Sequence, residues 1–197
     1  MEPSRIASRI KRIKPSPSTF AADRANELKR QGRSIISLVV GEPDFDTPAH
    51  IRAAASLAMD KGETRYTPMA GTIALREAII AKMKRENGLD YGMNEIIATN
   101  GAKSAIYAAF AATLEPGDEV IVPTPYWVSY TDMAIANDGV PVTIPCSEAQ
   151  DFKLKPEQLE AAITSKTRWL LLNAPSNPTG VSYSLEDYRA LADVIVK

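Results

Sequence analysis

The stretch "LLLNAPSNPTG" at residues 170–180 joins a continuous apolar run to a polar turn. The apolar run stops at Asn173, where eight polar or turn-forming residues begin. A short run of this kind predicts a strand that is buried on both faces of a sheet. Asparagine and proline are typical turn residues, so the loop has a plain structural explanation. In open α/β sheets, however, ligands also collect beyond the carboxyl ends of the strands.

The same alternation of apolar runs and helical patterns continues on both sides of this stretch. The predicted strands are rich in β-branched residues and read "SIISLVV", "EIIATN", "EVIVP", "PVTIP" and "WLLLN". Helical patterns lie between them, among them "TIALREAIIAKMKRENG", "AIYAAFAATL" and "LEDYRALADVIVK". This order predicts an α/β fold with a mixed, mostly parallel sheet that is covered by helices.

Turn and capping residues predict where several helices begin and end. Residues 46–48, Asp-Thr-Pro, predict a helix start with proline at the first position, and Gly62 predicts the end of that helix. Ser184 and Asp187 predict a capping box for the last helix. The segment "KPSPSTF" at 14–20 predicts a linker before the first helix.

The composition limits the classes of function. The 197 residues are 45% hydrophobic and 24% charged, with a formal net charge of -1. This is an ordinary globular composition without the basic excess of a nucleic-acid binder. One cysteine and one histidine exclude a disulfide within the chain and a Cys/His zinc cluster, so we expect no metal site and a cytoplasmic location.

The first fourteen residues are basic, which also occurs in organelle transit peptides and membrane-surface helices. Their apolar residues are isolated, however, and Ile6, Ile10 and Ile13 have a helical spacing. We therefore expect an amphipathic arm that docks on the protein. No run approaches the ~18 apolar residues of a membrane span.

Four predicted loops have compositions that suit a ligand. Gly101 precedes a helix start, where free N–H groups favour a phosphate. Tyr126 and Trp127 offer a flat face for a planar ring, and Gly41 lets a backbone N–H approach a carboxylate. Each loop also has a structural explanation, as a turn glycine, a core aromatic pair or a turn asparagine. The sequence lacks G-x-G-x-x-G and the P-loop motif, which disfavours nucleotide binding.

The order and spacing of these loops provide a more specific signal. The segments "GEPDFDTP", "RYTPMAGTIALREAI", "TNGAKSAIYAAF", "PGDEVIVPTPYWVSY" and "NAPSNPTG" resemble those of class I aminotransferases, which are fold-type I enzymes that use pyridoxal phosphate. The likeness is greatest to the bacterial aspartate and aspartate/prephenate branch, and it spans nearly all 197 residues. The resemblance implies the large domain of that fold.

The resemblance also assigns roles to residues. In the family, the glycine that matches Gly41 donates its N–H to the substrate carboxylate, and the turn that matches Gly101, Ala102 and Lys103 holds the cofactor phosphate. The aromatic residue that matches Trp127 stacks on the pyridine ring. The asparagine that matches Asn177 bonds the ring oxygen near the substrate. The tyrosine that matches Tyr66 reaches the phosphate of a neighbouring subunit, which implies a homodimer.

The implied reaction moves an amino group from an amino acid, L-aspartate in this branch, to a 2-oxo acid such as 2-oxoglutarate. Lys14 and Lys103 match positions near the distal carboxylate of the substrate, although both also fit solvated surface lysines. Prephenate, glutamate, alanine and aromatic substrates stay open as alternatives. The resemblance implies neither a nucleic-acid partner nor a membrane partner.

The family's catalytic lysine, its aspartate at the pyridine nitrogen and its substrate arginine match no position of this sequence. None of the eleven lysines has an S-x-S-K context, and Lys166 precedes a strand on the opposite side of the predicted sheet. We therefore expect an arm and small-domain segment at 1–47 and an incomplete cofactor-binding large domain at 48–197. A truncated, non-catalytic fragment stays open. A hydrolase is disfavoured, since G-x-S-x-G is absent and His50 is the single histidine.

Overall fold

A computed structural model describes residues 5–13, 15, 17–39, 41 and 43–197. The chain divides into two compact units, one of residues 1–33 with 106–197 and the other of residues 34–105. The domain boundary between residues 47 and 48 that the sequence suggests concerns the family's domains rather than these units, and it stays a prediction.

The described residues form seven α-helices and three strands. In chain order these are α1 (Pro17–Arg30), α2 (Ala49–Asp60), α3 (Ile73–Lys82), α4 (Ala102–Thr113), β1 (Glu119–Thr124), α5 (Ser129–Ala136), β2 (Val140–Pro145), α6 (Pro156–Ala162), β3 (Thr167–Leu170) and α7 (Leu185–Ile195). Short 3₁₀ segments cover Ser8–Arg12, Met93–Glu95 and Glu148–Gln150, and a π-helical turn covers Met83–Asn87.

The three strands form a parallel sheet in the unit of 1–33 and 106–197, with the order β2-β1-β3. Strand β1 pairs with β2 along its whole length, from Glu119 opposite Val140 onward. On its other side Ile121 lies opposite Leu170 of β3. The predicted strands "EVIVP" and "PVTIP" are therefore confirmed, together with the α/β class. The third strand lies earlier than predicted, at Thr167–Leu170, so that only Trp169 and Leu170 of "WLLLN" belong to it.

Alternate residues of β1 enter two separate cores, because successive side chains of a strand point to opposite faces. Val120 and Val122 pack on one face with residues of α4 and α5, and Ile121 packs on the other face with residues of α6 and α7. The first core contains Phe110, Val120, Val122, Tyr130, Met133 and Ala134. The second contains Ile121, Ile144, Cys146, Leu154, Leu159 and Leu191. Burial of β1 on both faces explains its uninterrupted apolar sequence.

The predicted helix caps hold with one small shift. The Ser184 hydroxyl accepts from the N–H of Asp187 at 3.1 Å, and the Asp187 carboxylate accepts from the N–H of Ser184 at 2.8 Å, which confirms the capping box of α7. Helix α2 begins at Ala49, one residue later than predicted. Gly62 follows its end with a φ of 77°, as expected for a residue that ends a helix.

Two predicted strands are wrong for the described residues. The segments "SIISLVV" and "EIIATN" form no ladder, although Ile96 has an extended backbone with a φ of -119°. Backbone groups of "EIIATN" bind elsewhere: the N–H of Ala98 donates to the carbonyl of Ala70, and the carbonyl of Ile96 accepts from Arg76. An apolar β-branched sequence needs a partner strand to become a strand, and these segments pair with none among the described residues.

The N-terminal arm makes ion pairs with Asp138, while two of its three isoleucines stay exposed. Arg12 places its guanidinium 2.6 Å from the Asp138 carboxylate, and Arg9 lies 3.6 Å from it. Ile6 and Ile10 stay 61% and 47% exposed. The helix that follows begins earlier than predicted, because α1 starts at Pro17 inside the segment expected to be a linker, with proline at its first position.

Candidate functional site

A pocket lies at the carboxyl ends of β1 and β3. Because the two strands are parallel neighbours, the loops that leave them emerge at the same edge of the sheet. The pocket is lined by Pro123, Pro125, Tyr126, Tyr130, Phe152, Leu171, Leu172, Asn173, Ser176, Asn177 and Tyr183. The structure thus brings Tyr126 of one predicted ligand loop together with Asn173 and Asn177 of another.

The loop after β3 is closed by its own hydrogen bonds. Asn173 accepts the backbone N–H of Asn177 on its side-chain oxygen at 2.9 Å. The N–H of Ser176 donates to the carbonyl of Val181 at 2.8 Å, and the N–H of Gly180 donates back to Ser176 at 2.7 Å. The side chain of Asn173 therefore has a structural task, whereas Asn177 is exposed at the turn.

Trp127 is half-buried beside the pocket rather than among the residues that line it. Its ring meets Tyr130 edge-on, with 5.5 Å between centroids, and packs against the core that contains Phe110. The sequence left open a stacking surface or a core pair formed by Tyr126 and Trp127, and in the structure the aromatic partner of Trp127 is Tyr130. The contact of Trp127 with a cofactor stays a prediction.

Two of the tyrosines that line the pocket, Tyr130 and Tyr183, have a raised pKa. Burial raises the pKa of Tyr130, and burial also raises the pKa of Tyr183 against the opposing effect of the Leu154 N–H. Desolvation likewise raises the pKa of Asp132 on α5. The hydroxyl groups of Tyr130 and Tyr183 therefore act as hydrogen-bonding groups rather than as bases.

In the unit of residues 34–105, Gly101 forms the turn that starts α4. Its φ of 102° favours glycine, and a Cβ placed there would meet no atom within 4 Å, so the turn is open to approach. Helix α4 begins at Ala102 and carries no acidic residue in its first turn. The N–H groups of a first helical turn lack intrahelical acceptors, which favours an anion such as a phosphate.

A second glycine of this unit is required by close packing. Gly71 has a φ of 98°, and a Cβ there would lie 2.9 Å from the Cβ of Ala98. This contact holds the segment before Gly101 against the loop after Tyr66, whose own side chain is fully exposed. Gly71 is thus a packing residue of the "RYTPMAG" motif.

The other predicted substrate and phosphate residues are Gly41, Lys103 and Lys14. Gly41 is exposed, with no atom within 4 Å of a Cβ placed on it. Lys103 is exposed in the first turn of α4. Lys14 lies outside the described residues. The predicted meeting of Gly101 with Trp127 and Asn177 involves both units and stays a prediction.

Lys166 lies at the opposite end of the sheet from the pocket. Its carbonyl accepts the N–H of Glu119, the first residue of β1, at 2.8 Å. The pocket lies where β1 and β3 end. The sequence-based placement of this lysine away from the ligand loops is therefore confirmed.

Phe152 and Tyr183 line the pocket although nothing in the sequence singled them out. Asp151 and Phe152 both have a positive φ, of 54° and 53°, which is rare for residues with a side chain. Neither residue carries a local motif, and their meeting depends on the packing of segments 31 residues apart. An asparagine or glycine would have signalled this turn, and an Asp-Phe pair does not.

Lys153 and Asp187 form an ion pair beside these residues, with 2.9 Å between Nζ and Oδ2. The Lys153 ammonium, helped by the N–H of Ser184, lowers the pKa of Asp187 from 3.8 to about 2. A carboxyl group whose pKa is lower in the folded than in the unfolded state stabilises the fold, and this contribution is complete when the pH is above its ordinary pKa. That contribution is lost as the pH falls through the folded value.

We therefore expect the free energy of unfolding of the protein to fall more steeply between roughly pH 4 and pH 2 than that of the variant Asp187→Asn. Urea unfolding at several pH values in this window measures the two slopes. The variant Asp193→Asn, which changes an exposed aspartate of the same helix, controls for loss of charge. Equal slopes for the protein and Asp187→Asn contradict this prediction.

Within the described ranges, no three His, Cys, Asp or Glu side chains lie close enough together to hold a metal ion. In the same part of the chain, no helix combines the length and apolar character that crossing a membrane requires.

Comparison with known proteins identifies relatives along almost the whole chain. The family model for "Aminotransferase class I and II" matches residues 33–197. The aspartate aminotransferase of Rhizobium meliloti is 50% identical over 193 residues, which cover 98% of this chain and 47% of that protein. A probable aspartate/prephenate aminotransferase of Rhizobium leguminosarum bv. phaseoli is 48% identical, covering 98% of this chain and 48% of its own length. The chain thus spans about half the length of these curated relatives.

Solved structures agree with this relationship. The crystal structure of the Rhizobium meliloti aspartate aminotransferase has a TM-score of 0.94 at 50% identity, covering 98% of this chain and 48% of its own. The Thermus thermophilus aspartate aminotransferase, determined with maleate, has a TM-score of 0.93 at 44% identity, covering 97% and 50%. The predicted fold-type I architecture is confirmed. The chain belongs to the class I and II aminotransferase family.

Proposed function

We propose that the whole protein to which this chain contributes is a pyridoxal-phosphate-dependent aminotransferase that moves an amino group from L-aspartate to a 2-oxo acid such as 2-oxoglutarate. The observation that carries the proposal is the family match over residues 33–197. Relatives of 50% and 51% identity that are named aspartate aminotransferase support the substrate. We place the protein in the cytoplasm, where the buried free thiol of Cys146 suits a reducing environment.

The start of α4 fits the phosphate of the cofactor. The open turn at Gly101 leaves room for an anion, and the N–H groups of Ala102 and Lys103 belong to the first turn of a 12-residue helix. When bound, pyridoxal phosphate supplies an aldehyde that accepts the amino group from one substrate and returns it to the other. The role of these residues is to bind and orient it.

Trp127 and Asn177 supply the second part of the proposed cofactor site. The Trp127 ring is held by Tyr130 and the core, so it offers a rigid aromatic surface rather than a mobile one. The Asn177 turn is held by the bond from its N–H to Asn173. In this proposal the Asn177 amide donates to a ring oxygen of the cofactor and lies near a substrate carboxylate.

Substrate recognition is assigned to Gly41, Lys14 and Lys103. The N–H of Gly41 binds the α-carboxylate in this proposal, and an open surface around Gly41 permits a close approach. The two lysines favour a substrate with a second carboxylate. The Thermus thermophilus relative was determined with maleate, which is such a dicarboxylate and supports this choice.

We also propose that the working enzyme is a homodimer. The exposed ring of Tyr66 supports this, because the proposed role of its hydroxyl is to bind the cofactor phosphate of the partner subunit. Exposed apolar side chains of α2, including Ile51, Leu57 and Met59, are consistent with a surface covered by another chain.

The experiment that tests the cofactor site compares the two tryptophans of the chain. In the whole protein, Trp127→Ala is expected to weaken binding of pyridoxal phosphate by about 1 to 3 kcal/mol, since it removes an aromatic surface. Trp169→Ala is the control, because Trp169 packs on Phe110 and donates to Thr113 without lining the pocket. Cofactor titration and thermal unfolding are measured for both variants.

Trp169→Ala is expected to lower the stability with little change in cofactor affinity of the folded protein. If Trp127→Ala binds pyridoxal phosphate as tightly as the parent, the assigned role of Trp127 is wrong. If the parent itself binds none, the proposed function is wrong.

A second candidate substrate is prephenate, because several relatives of 47% to 50% identity carry the name aspartate/prephenate aminotransferase. Assays with prephenate and with 2-oxoglutarate as amino acceptors separate the two activities. A non-catalytic role for the chain is supported if neither acceptor reacts while the whole protein binds the cofactor.

A further inference from the structure

Two adjacent contacts join the end of the Asn177 loop to the segment 151–154. The Tyr183 hydroxyl oxygen accepts the backbone N–H of Leu154 at 2.7 Å. Next to it, the Lys153 ammonium binds the Asp187 carboxylate at 2.9 Å and lies 5.9 Å from the centroid of the Tyr183 ring. We call these four residues the loop latch.

The loop latch acts on a loop that is internally closed. Since the N–H of Asn177 binds Asn173 and the N–H of Ser176 binds Val181, the residues of this turn move together. The upstream end is fixed to the sheet, where the N–H of Leu171 donates to Ile121 at 2.9 Å. The orientation of the turn therefore depends on its downstream end, which is Tyr183.

The partner segment of the latch is itself held firmly. The Gln150 amide nitrogen donates to the carbonyl of Lys153 and to the Gln158 side chain, both at 2.8 Å. Gln158 in turn donates to the carbonyl of Pro145 at the end of β2. These bonds maintain the unfavourable positive φ of Asp151 and Phe152. Lys153 and Leu154 thus form a rigid base for the latch.

The latch lies at the wall of the proposed site. Phe152 and Tyr183 line the same pocket as Asn173 and Asn177. Leu154 is 3% exposed, so the bond from its N–H to Tyr183 is shielded from water, which strengthens it. A shift of Tyr183 would change the pocket and the turn at the same time.

We propose that Tyr183 is a positioning residue, whose hydroxyl, supported by the ion pair of Lys153 and Asp187, holds the turn that carries Asn177 in its place at the carboxyl end of β3. This inference rests on the proposed function, because it assigns to the latch the task of placing Asn177 toward the cofactor.

Hydrogen exchange of the protein without cofactor tests the latch itself. The variant Tyr183→Phe keeps the ring and removes the acceptor of the Leu154 N–H. We expect amides of residues 174–181 to exchange roughly 2- to 10-fold faster, as the loss of one hydrogen bond allows, with β1 unchanged. Tyr188→Phe is the matched control, since Tyr188 packs against Tyr183 on the exposed side of α7. Unchanged exchange at 174–181 in Tyr183→Phe overturns the latch.

A cycle with Asn177 tests the functional part in the whole protein. Tyr183→Phe is expected to raise the dissociation constant for pyridoxal phosphate roughly 2- to 10-fold when Asn177 is present. In the Asn177→Ala background the same change is expected to have no further effect, since the latch acts through Asn177. A purely structural residue would give equal factors in both backgrounds, and that result overturns the inference. A parent without cofactor affinity contradicts the proposed function instead, while the exchange experiment still decides on the latch.

Discussion

A polypeptide of residues 1–197 alone is expected to transfer no amino group from aspartate to 2-oxoglutarate. The proposed chemistry needs a lysine amine within bonding reach of the cofactor aldehyde. None of the eleven lysines has the S-x-S-K context of the family. The expected result is therefore the complete loss of the activity proposed for the whole protein.

The structure supports this expectation at the pocket. Among the described residues, the side chains that line it include no lysine. Lys153 is next to Phe152, but its ammonium is bound to Asp187. Lys166 lies at the amino end of the sheet, away from the pocket.

Borohydride reduction in the presence of pyridoxal phosphate provides the measurement, because it fixes any lysine that is covalently attached to the cofactor. The 197-residue polypeptide is expected to give no specifically labelled lysine by mass spectrometry. The whole protein serves as the positive control and is expected to give one. Selective labelling of one lysine in residues 1–197, together with transamination of aspartate, would show that this expectation is wrong.

The sheet of residues 106–197 was predictable because its strands carry their own signal. Strand β1 is buried on both faces, as the complete burial of Val120, Ile121 and Val122 shows, and such a strand has an unbroken apolar sequence. Helix caps can also be predicted from neighbouring residues alone, as Ser184 and Asp187 show. The segments "SIISLVV" and "EIIATN" have the same composition, yet a strand also requires a partner, and partners are not encoded in the segment itself.

The residues of the candidate site could be predicted only where they belong to a short loop that follows a predicted strand. Asn173, Asn177 and Tyr126 belong to the loops that leave β3 and β1, so their position at one edge of the sheet followed from the fold class. Phe152 and Tyr183 belong to segments far apart in sequence, and no local rule brings them together. The sequence allowed Asn173 to be a turn residue, but the group that its side chain binds, the N–H of Asn177, required the structure.

The second large effect is expected at Asn177. In the whole protein, Asn177→Ala is expected to lower turnover roughly 10- to 100-fold, the usual effect of losing a hydrogen bond to a charged group. Folding is expected to change little, because Asn177 is exposed and the bond to Asn173 comes from its backbone N–H, which alanine keeps. Turnover of aspartate and the free energy of unfolding are measured on the same preparations.

Asn137→Ala is the matched control for this variant. The Asn137 side chain donates to the carbonyl of Met133 at 2.8 Å at the end of α5, so its loss is expected to lower stability and leave the turnover of the folded protein nearly unchanged. Asn177→Ala should thus lower mainly the turnover, and Asn137→Ala should lower mainly the free energy of unfolding. If Asn177→Ala lowers the stability and the turnover in the same proportion as Asn137→Ala, its amide has no role in the chemistry, and the turn after β3 serves the fold alone.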